Sequence, residues 1–360
     1  MGKIVSCYIP FNVNNKYVDN IKRLLKNNNI EVVSIKQCII NLNLFKKCEI
    51  FNFNWFEGIK GNRLQQIVIY YGKVFLLRWL KINNKKIIYT IHNKKPHDIK
   101  DDKYSLKMMN KLCDYSDVIL GLCPETKSVL NSIDKKYEKK LKLTLHPNYI
   151  YNYENMNNDN YRKYFNIKED DLVFLFFGFV SPYKNLEGII KIFKNLNMNN
   201  IKLLIIGKPI TPQYKQELIS VIGKSENIKY NFSYIEDSEV FKYYNTSNIV
   251  ILPYHKDSSL NSGAVYLSFS LKKTVICPEI GTIKALKTKD FIYNYDYNLE
   301  EEHIEKLEKI ILNVCEEYLE NSQKVLNNGI KAYEYVKKYH SDKVIGESYK
   351  KIYESLVGKN

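Results

Sequence analysis

The stretch Phe174–Gly188, FLFFGFVSPYKNLEG, decides the fold. It is an apolar run that stops at Gly178, turns through Ser181-Pro182, and opens an amphipathic segment. Ile251–Gly281, ILPYHKDSSLNSGAVYLSFSLKKTVICPEIG, repeats the pattern: apolar run, break at Pro253, polar loop, new helix at Asn261-Ser262-Gly263. Runs this continuous read as strands buried on both faces of a parallel sheet. A helix that starts just beyond a strand end presents free backbone N–H groups and a partial positive charge, which suits a phosphate. With Lys184 just after the first loop, the two segments read as jaws for a diphosphate.

The same pattern extends in both directions. Lys3–Ile9, Glu31–Ile35, Glu49–Trp55, Lys86–His92, Asp117–Leu122 and Leu141–Leu145 are expected strands. Between them lie helical patterns, notably Val18–Asn27 and Arg63–Leu80. The second half continues with strands at Leu172–Val180, Lys202–Ile206, Ile228–Phe232, Ile249–Pro253, Thr274–Cys277 and Phe291–Tyr295, and with helices at Asp237–Tyr244 and Glu302–Leu319. Alternating β and α segments predict doubly wound α/β domains. Two are expected, over residues 1–152 and 162–335, with the Asn-rich Tyr151–Asn160 as linker and residues 336–360 as a C-terminal segment. Ligands of such sheets bind beyond the carboxyl ends of the strands.

At 360 residues and 45% hydrophobic, the chain can bury two cores. Its seven cysteines, at 7, 38, 48, 113, 123, 277 and 315, form no C-x-x-C pair. Such a set points to reduced thiols in a cytosolic protein. Met1-Gly2-Lys3 leads straight into a strand-like run, so no signal peptide is expected, and no uncharged apolar stretch is long enough to span a membrane. The +16 charge is lopsided: residues 1–150 hold 27 Lys/Arg against 12 Asp/Glu, residues 151–360 hold 28 against 27. A basic half suits an anionic membrane surface, at about 1 kcal/mol per charge, or it is simply solvated lysine. Base reading leans on Arg, and only Arg23, Arg63, Arg78 and Arg162 are present, so nucleic acid is not expected as a partner.

The motifs resemble those of retaining, GT-B-fold glycosyltransferases of the family 4 type (glycosyl transferases group 1). FFGFVSPYKNLEG is similar to that family's FFG-x-IRPYKG segment, and ILPYHKDSSLNSGAVYLSFSLKKTVI to its LPY-x-x-S-x-x-SGALLLALSFG-x-PVI segment. Phe51–Gly58 (FNFNWFEG) and Thr90–Asp98 (TIHNKKPHD) resemble its HWxE and TxHNxxPHD segments, in the family's order. The resemblance implies two Rossmann-like domains facing across a cleft, an acceptor-binding domain first and a donor-binding domain second. It also implies a last helix, here Asp342–Leu356, that crosses back to the first domain. The implied substrates are a UDP- or GDP-sugar and the hydroxyl of a glycan or lipid-linked glycan. Retention, no cofactor and no metal are implied as well; no D-x-D occurs, and His146, His255, His303 and His340 show no metal-ligand spacing.

By that resemblance Lys184 neutralises the leaving diphosphate, beside Gly178, Ser181 and Asn185. The family's companion Arg is missing, since Phe179 and Ser181 stand there, so Lys208 is the expected replacement. Ser259, Leu260, Asn261, Ser262 and Gly263 supply backbone contacts to the phosphates. The family's paired glutamates fall on Ser259 and Leu267 and are absent, which leaves Asp257 or Ser258 to meet the ribose. His92 orients the sugar. Asn15, Trp55, Glu57, Asn93 and His97 are the expected acceptor-side residues. Each has a plain alternative: a solvated lysine, a capped helix, a polar strand end, a core Trp beside a surface Glu. At the scale of the chain the alternatives are a non-catalytic partner protein of the same fold and a nucleotide-sugar epimerase.

Overall fold

A computed structural model of the chain describes residues 3–94, 103–153, 156–157, 159–196, 198–257 and 259–358. Among these the apolar runs form two six-stranded sheets, and every strand pair is parallel. The chain divides into one unit of residues 1–147 with 340–360, and a second of residues 148–339.

In the first unit β1 (Ile4–Ile9), β2 (Ile30–Val33), β3 (Cys48–Asn54), β4 (Lys86–Ile91), β5 (Val118–Gly121) and β6 (Leu141–Leu143) lie in the order β2-β1-β3-β4-β5-β6. Strand order reverses between β1 and β3, and a ligand crevice is expected beyond that switch point. The helices between the strands are α1 (Lys16–Asn27), α2 (Ile35–Ile40), α3 (Leu42–Lys47), α4 (Arg63–Ile82), α5 (Lys103–Tyr115) and α6 (Thr126–Ile133). On α1, Val18, Ile21, Leu24 and Leu25 recur at helical spacing and are buried. Asn15 caps its start by accepting the Tyr17 N–H at 2.9 Å.

The second unit opens with α7 (Ile150–Tyr153). The helix takes in the first residues of the expected linker Tyr151–Asn160, and Tyr153 within it is buried in the second core together with Tyr149 just before it. Its strands β7 (Leu172–Phe177), β8 (Ile201–Ile206), β9 (Ile228–Asn231), β10 (Ile249–Ile251), β11 (Thr274–Pro278) and β12 (Tyr293–Tyr295) lie in the order β12-β11-β10-β7-β8-β9. The switch is between β7 and β10, the two runs singled out in the sequence. Along β7, Leu172, Phe174 and Phe176 enter one core while Val173 and Leu175 enter the other, the period of two that a strand imposes. The helices are α8 (Leu186–Asn195), α9 (Pro212–Ile222), α10 (Asp237–Thr246), α11 (Gly263–Ser270), α12 (Gly281–Lys284), α13 (Glu300–Glu320) and α14 (Ser322–Tyr339).

The final helix, α15 (Asp342–Leu356), belongs to the first unit. Its Ile345, Tyr349, Ile352 and Tyr353 join the core beneath α1 and β1. All seven cysteines are free and buried. Among the described residues no helix is long and apolar enough to cross a membrane.

Candidate functional site

The second unit carries the segments expected to face a phosphate. β7 ends at Phe177, and Gly178 follows with φ of 122°, a backbone that a side chain would strain. Gly207, just after β8, is held closer still: a Cβ there would stand 1.9 Å from the Gly178 carbonyl oxygen. These glycines let the two strand ends touch. Val180 then donates to the Lys208 carbonyl at 3.0 Å, which brings the Lys208 segment alongside the Gly178–Ser181 loop with Lys208 itself exposed. Pro182–Lys184 form a 3-10 turn, and Asn185 takes a left-handed conformation before α8 begins. Lys184 therefore sits two residues ahead of the helix start. It is 8% exposed, and its Nζ lies 5.5 Å from the Phe176 ring centroid and 5.8 Å from those of Tyr183 and Tyr254. Aromatic faces are attracted to an ammonium held over them. Ser181 is fully buried, and its hydroxyl has no hydrogen-bond partner.

The second jaw is built differently from the expectation. Ser262, not Asn261, caps α11, and its Oγ accepts the Val265 N–H at 3.4 Å. The Ser262 N–H is already taken by Thr282 Oγ1 at 2.9 Å, and the Ser259 N–H by the His255 carbonyl at 3.3 Å. Leu260 is fully buried and its carbonyl accepts from Thr282. These three amides are thus committed to, or enclosed by, the protein. Asn261, Gly263 and Ala264 stay half-exposed, and the latter two form the first helical turn, whose amides have no intrahelical acceptor. Asp257 is exposed, and Leu267 is half-exposed one turn into α11. Ser258 lies outside the described residues.

Tyr254 links the jaws. It is buried, its ring borders Lys184, and its hydroxyl is 3.4 Å from Ser262 Oγ. The adjacent His255 takes part in a cluster that the sequence spacing does not reveal. His255 and His303, set aside for their spacing, converge on Glu300, with their ligand atoms within 4.8 Å of one another. The sequence gap of 48 residues disguises a contact between the loop after β10 and the first turn of α13.

In the first unit, the strand ends at the β1/β3 switch gather an aromatic box. The His92 ring stacks on Trp55 at 3.9 Å and meets Tyr17 edge-on at 5.2 Å. His92 Nε2 is 3.0 Å from Asn54 Oδ1. Asn54 Nδ2 donates to the Ile9 carbonyl, an acceptor only, so its amide orientation is fixed and His92 carries its hydrogen on Nε2. Burial, with His146 nearby, pushes the His92 pKa down to about 3; burial does the same to His146. Both rings are neutral at physiological pH. Trp55 is half-buried and its φ is 51°, a left-handed backbone uncommon for a bulky residue.

The remaining expected acceptor residues scatter. Glu57 turns inward: it is 6% exposed, burial raises its pKa, and it lies near Tyr89 and Lys73. Lys73 donates to the Phe56 and Gly58 carbonyls at 2.7 and 2.8 Å, tying α4 to that loop, and burial lowers its pKa to about 8. Asn15 is occupied as the cap of α1, Asn93 is half-exposed beside His92, and His97 lies outside the described residues. Tyr17, which ends the Asn14–Tyr17 stretch after the first strand, and Tyr254, which ends the ILPY run, border the two half-sites; Tyr254 is not among the expected site residues, because a Tyr closing an apolar run reads as core.

Comparisons with known proteins bear on the second unit and on the fold. Residues 157–265, which contain Gly178, Lys184, Tyr254 and the start of α11, match the family described as glycosyl transferases group 1. A GDP-mannose:glycolipid 4-beta-D-mannosyltransferase of Xanthomonas campestris pv. campestris is 28% identical over 104 residues, a match that spans 29% of this chain and 29% of that protein. A sucrose-phosphate synthase from Thermosynechococcus elongatus superposes with a TM-score of 0.73 at 12% identity, covering 99% of this chain and all of that one. HepE of Anabaena, in complex with UDP and glucose, gives 0.70 at 11% identity, with 99% and 100% coverage. The chain is a two-domain α/β protein of the GT-B glycosyltransferase fold, and its second unit carries the group 1 segment.

Proposed function

We propose that the protein transfers a sugar from a UDP- or GDP-linked donor to a hydroxyl of a glycan or lipid-linked glycan, in cell-surface polysaccharide or glycolipid synthesis. The observation that carries this reading is Lys184: an ammonium 8% exposed, ringed by aromatic faces, at the switch point of the second sheet. Transfer breaks the bond between the anomeric carbon and the phosphate oxygen, so negative charge grows on the diphosphate while the sugar becomes cationic. A fixed cation in a water-poor setting stabilises that charge, aided by the first-turn amides of α11. Neutral His92 orients the sugar, and the leaving phosphate accepts the acceptor proton. No cofactor takes part, and no metal bridges the diphosphate.

Retention is what the sequence resemblance implies. The β linkage in the relatives' name favours a second reading, inversion, for an α-linked donor such as GDP-mannose. The anomeric coupling of the product, read by NMR, separates them. A non-catalytic role is favoured by a different observation, the Phe179, Ser181, Ser259 and Leu267 that stand where the family has Arg and Glu.

The acceptor side points to a membrane surface. Leu64, Val68, Tyr71, Phe75 and Ile82 are exposed along α4, spaced to share one face. The helix carries Arg63, Lys73, Arg78 and Lys81 and no acidic residue. Lys73 and Lys81 are tied to the protein, through the Phe56 and Gly58 carbonyls and Asp117 respectively, but the exposed apolar stripe together with Arg63 and Arg78 suits the interface of an anionic bilayer. We place the protein on the cytoplasmic side as a peripheral protein.

The deciding experiment is a calorimetric titration of wild type and Lys184→Ala with UDP and with GDP. Micromolar binding of one nucleotide, weakened about tenfold or more by the substitution (about 1.4 kcal/mol), supports the donor site and identifies the base. Binding of neither overturns the enzyme reading and promotes the non-catalytic partner.

A further inference from the structure

We propose that His255, Glu300 and His303 bind a divalent transition-metal ion of the zinc class, which ties the first turn of α13 to the loop after β10. Two imidazoles and one carboxylate are a zinc-binding set that leaves a position for water. His255 Nδ1 is 3.0 Å and His303 Nδ1 3.4 Å from Glu300 Oε1. A tetrahedral ion with bonds near 2.1 Å needs ligand atoms about 3.4 Å apart; the two Glu300 distances are at or near that spacing, and the two imidazole nitrogens lie within 4.8 Å of each other.

The surroundings hold the ligands as outer partners hold metal-bound histidines. His303 is fully buried, its Nε2 is 2.9 Å from the Tyr295 hydroxyl, and its ring stacks on Tyr297 at 4.3 Å with 5° between planes. That leaves Nδ1 pointing at Glu300. Glu300 and His303 are three apart on α13, one helical turn, so the helix presents both to one ion. His255 is held from behind, where its backbone N–H donates to the Tyr183 carbonyl at 3.2 Å.

The site is built from the walls of the phosphate pocket without using its cation. His255 bonds Tyr183, and the Asn185 amide is 3.5 Å from His303 Nδ1, so both chain neighbours of Lys184 touch the cluster. An ion there rigidifies the turn that carries Lys184, while charge compensation of a diphosphate stays with that lysine.

The test uses the full chain, stripped with a chelator and titrated with Co2+, whose visible absorption reports its ligands and geometry. One Co2+ per chain, with a tetrahedral nitrogen–oxygen spectrum that Zn2+ bleaches by displacement, is the expected result. His255→Ala should weaken binding roughly tenfold or more. Glu300→Gln keeps an acceptor for both imidazoles but removes the charge. It should lose the ion while keeping the metal-free thermal midpoint, an outcome that a purely hydrogen-bonded cluster would not give. No Co2+ spectrum in wild type, unchanged affinity in both variants, or the near-ultraviolet bands of cobalt–thiolate bonds would each overturn the assignment. No nucleotide enters the measurement, so its failure is distinct from failure of the transferase reading.

Discussion

At the scale of single residues, the pocket proposed for a diphosphate depends on what glycine permits and on what burial leaves undone. Gly207→Ala puts a methyl 1.9 Å from the Gly178 oxygen and forces φ of 141° on a residue with a side chain. Backbone must move, and a loss of roughly 2–4 kcal/mol in unfolding free energy is expected, read by urea denaturation. Ser181 is the opposite case. A buried hydroxyl without a partner has already lost its water. Ser181→Ala should leave the stability of the nucleotide-free protein unchanged or slightly higher, and should weaken nucleotide binding roughly fivefold if the hydroxyl is reserved for a phosphate oxygen. Equal affinity would assign it to packing alone. His92 and His146 fix a pH dependence. Their folded pKa values, about 3, lie below the ordinary 6.5, so the unfolded chain binds more protons between those limits. Stability is complete above pH 6.5 and falls as pH drops below it, by up to about 1.4 kcal/mol per pH unit for each ring. His92→Gln should reduce that slope between pH 6.5 and 5; an unchanged slope would place the titration elsewhere.

At the scale of elements, α4 exposes five large apolar side chains along one face. Val68 and Phe75 are 66% and 70% exposed, so Val68→Asp with Phe75→Asp should cost little stability, within about 0.5 kcal/mol each. The pair should abolish cosedimentation with phosphatidylglycerol vesicles. Retained binding would move the docking surface to another basic face. The elements themselves were legible because the central parallel strands, buried on both faces, are written as continuous apolar runs, and each expected run is a strand, including shorter edge strands such as β6 and β12 that carry polar residues. Ends were less so: Leu172–Val180 stops at Phe177, because Gly178 leaves the sheet and Val180 is left with only an isolated bridge to Pro209. The site was legible where Gly and Pro punctuate it, at Gly178 and Pro182–Lys184. It was not legible where contact depends on distant chain segments. Thr282 consumes the Ser262 N–H from 20 residues on, and no local pattern carries that. The meeting of His255 and His303 on Glu300 is of the same kind, as is the inward turn of Glu57 toward Lys73 of α4.

At the scale of the whole molecule, the fold closes its first unit with the last part of the chain. Residues 1–147 do not contain all of their own core. Tyr349 and Tyr353 of α15 are buried against α1 and the sheet, with the Tyr353 hydroxyl accepting from Asn52 Nδ2 at 2.8 Å and the Tyr349 hydroxyl 3.3 Å from that of Tyr17. Asp342 forms a two-pronged pair with Arg23, one prong at 3.0 Å. Gly346 lets the helices approach, since a Cβ there would meet Asn28 Nδ2 at 2.4 Å. Tyr17 also walls His92, so α15 supports the aromatic box through one side chain. Tyr349→Ala removes a fully enclosed ring and should cost roughly 3–5 kcal/mol, borne by the first unit. In limited proteolysis of that variant, cleavage should begin within residues 1–147, while residues 148–339, with a core of their own, persist as a fragment. Nucleotide binding should survive in the fragment, because Lys184, Tyr254 and the start of α11 all lie inside it. Simultaneous loss of both units would show that the second core depends on the first.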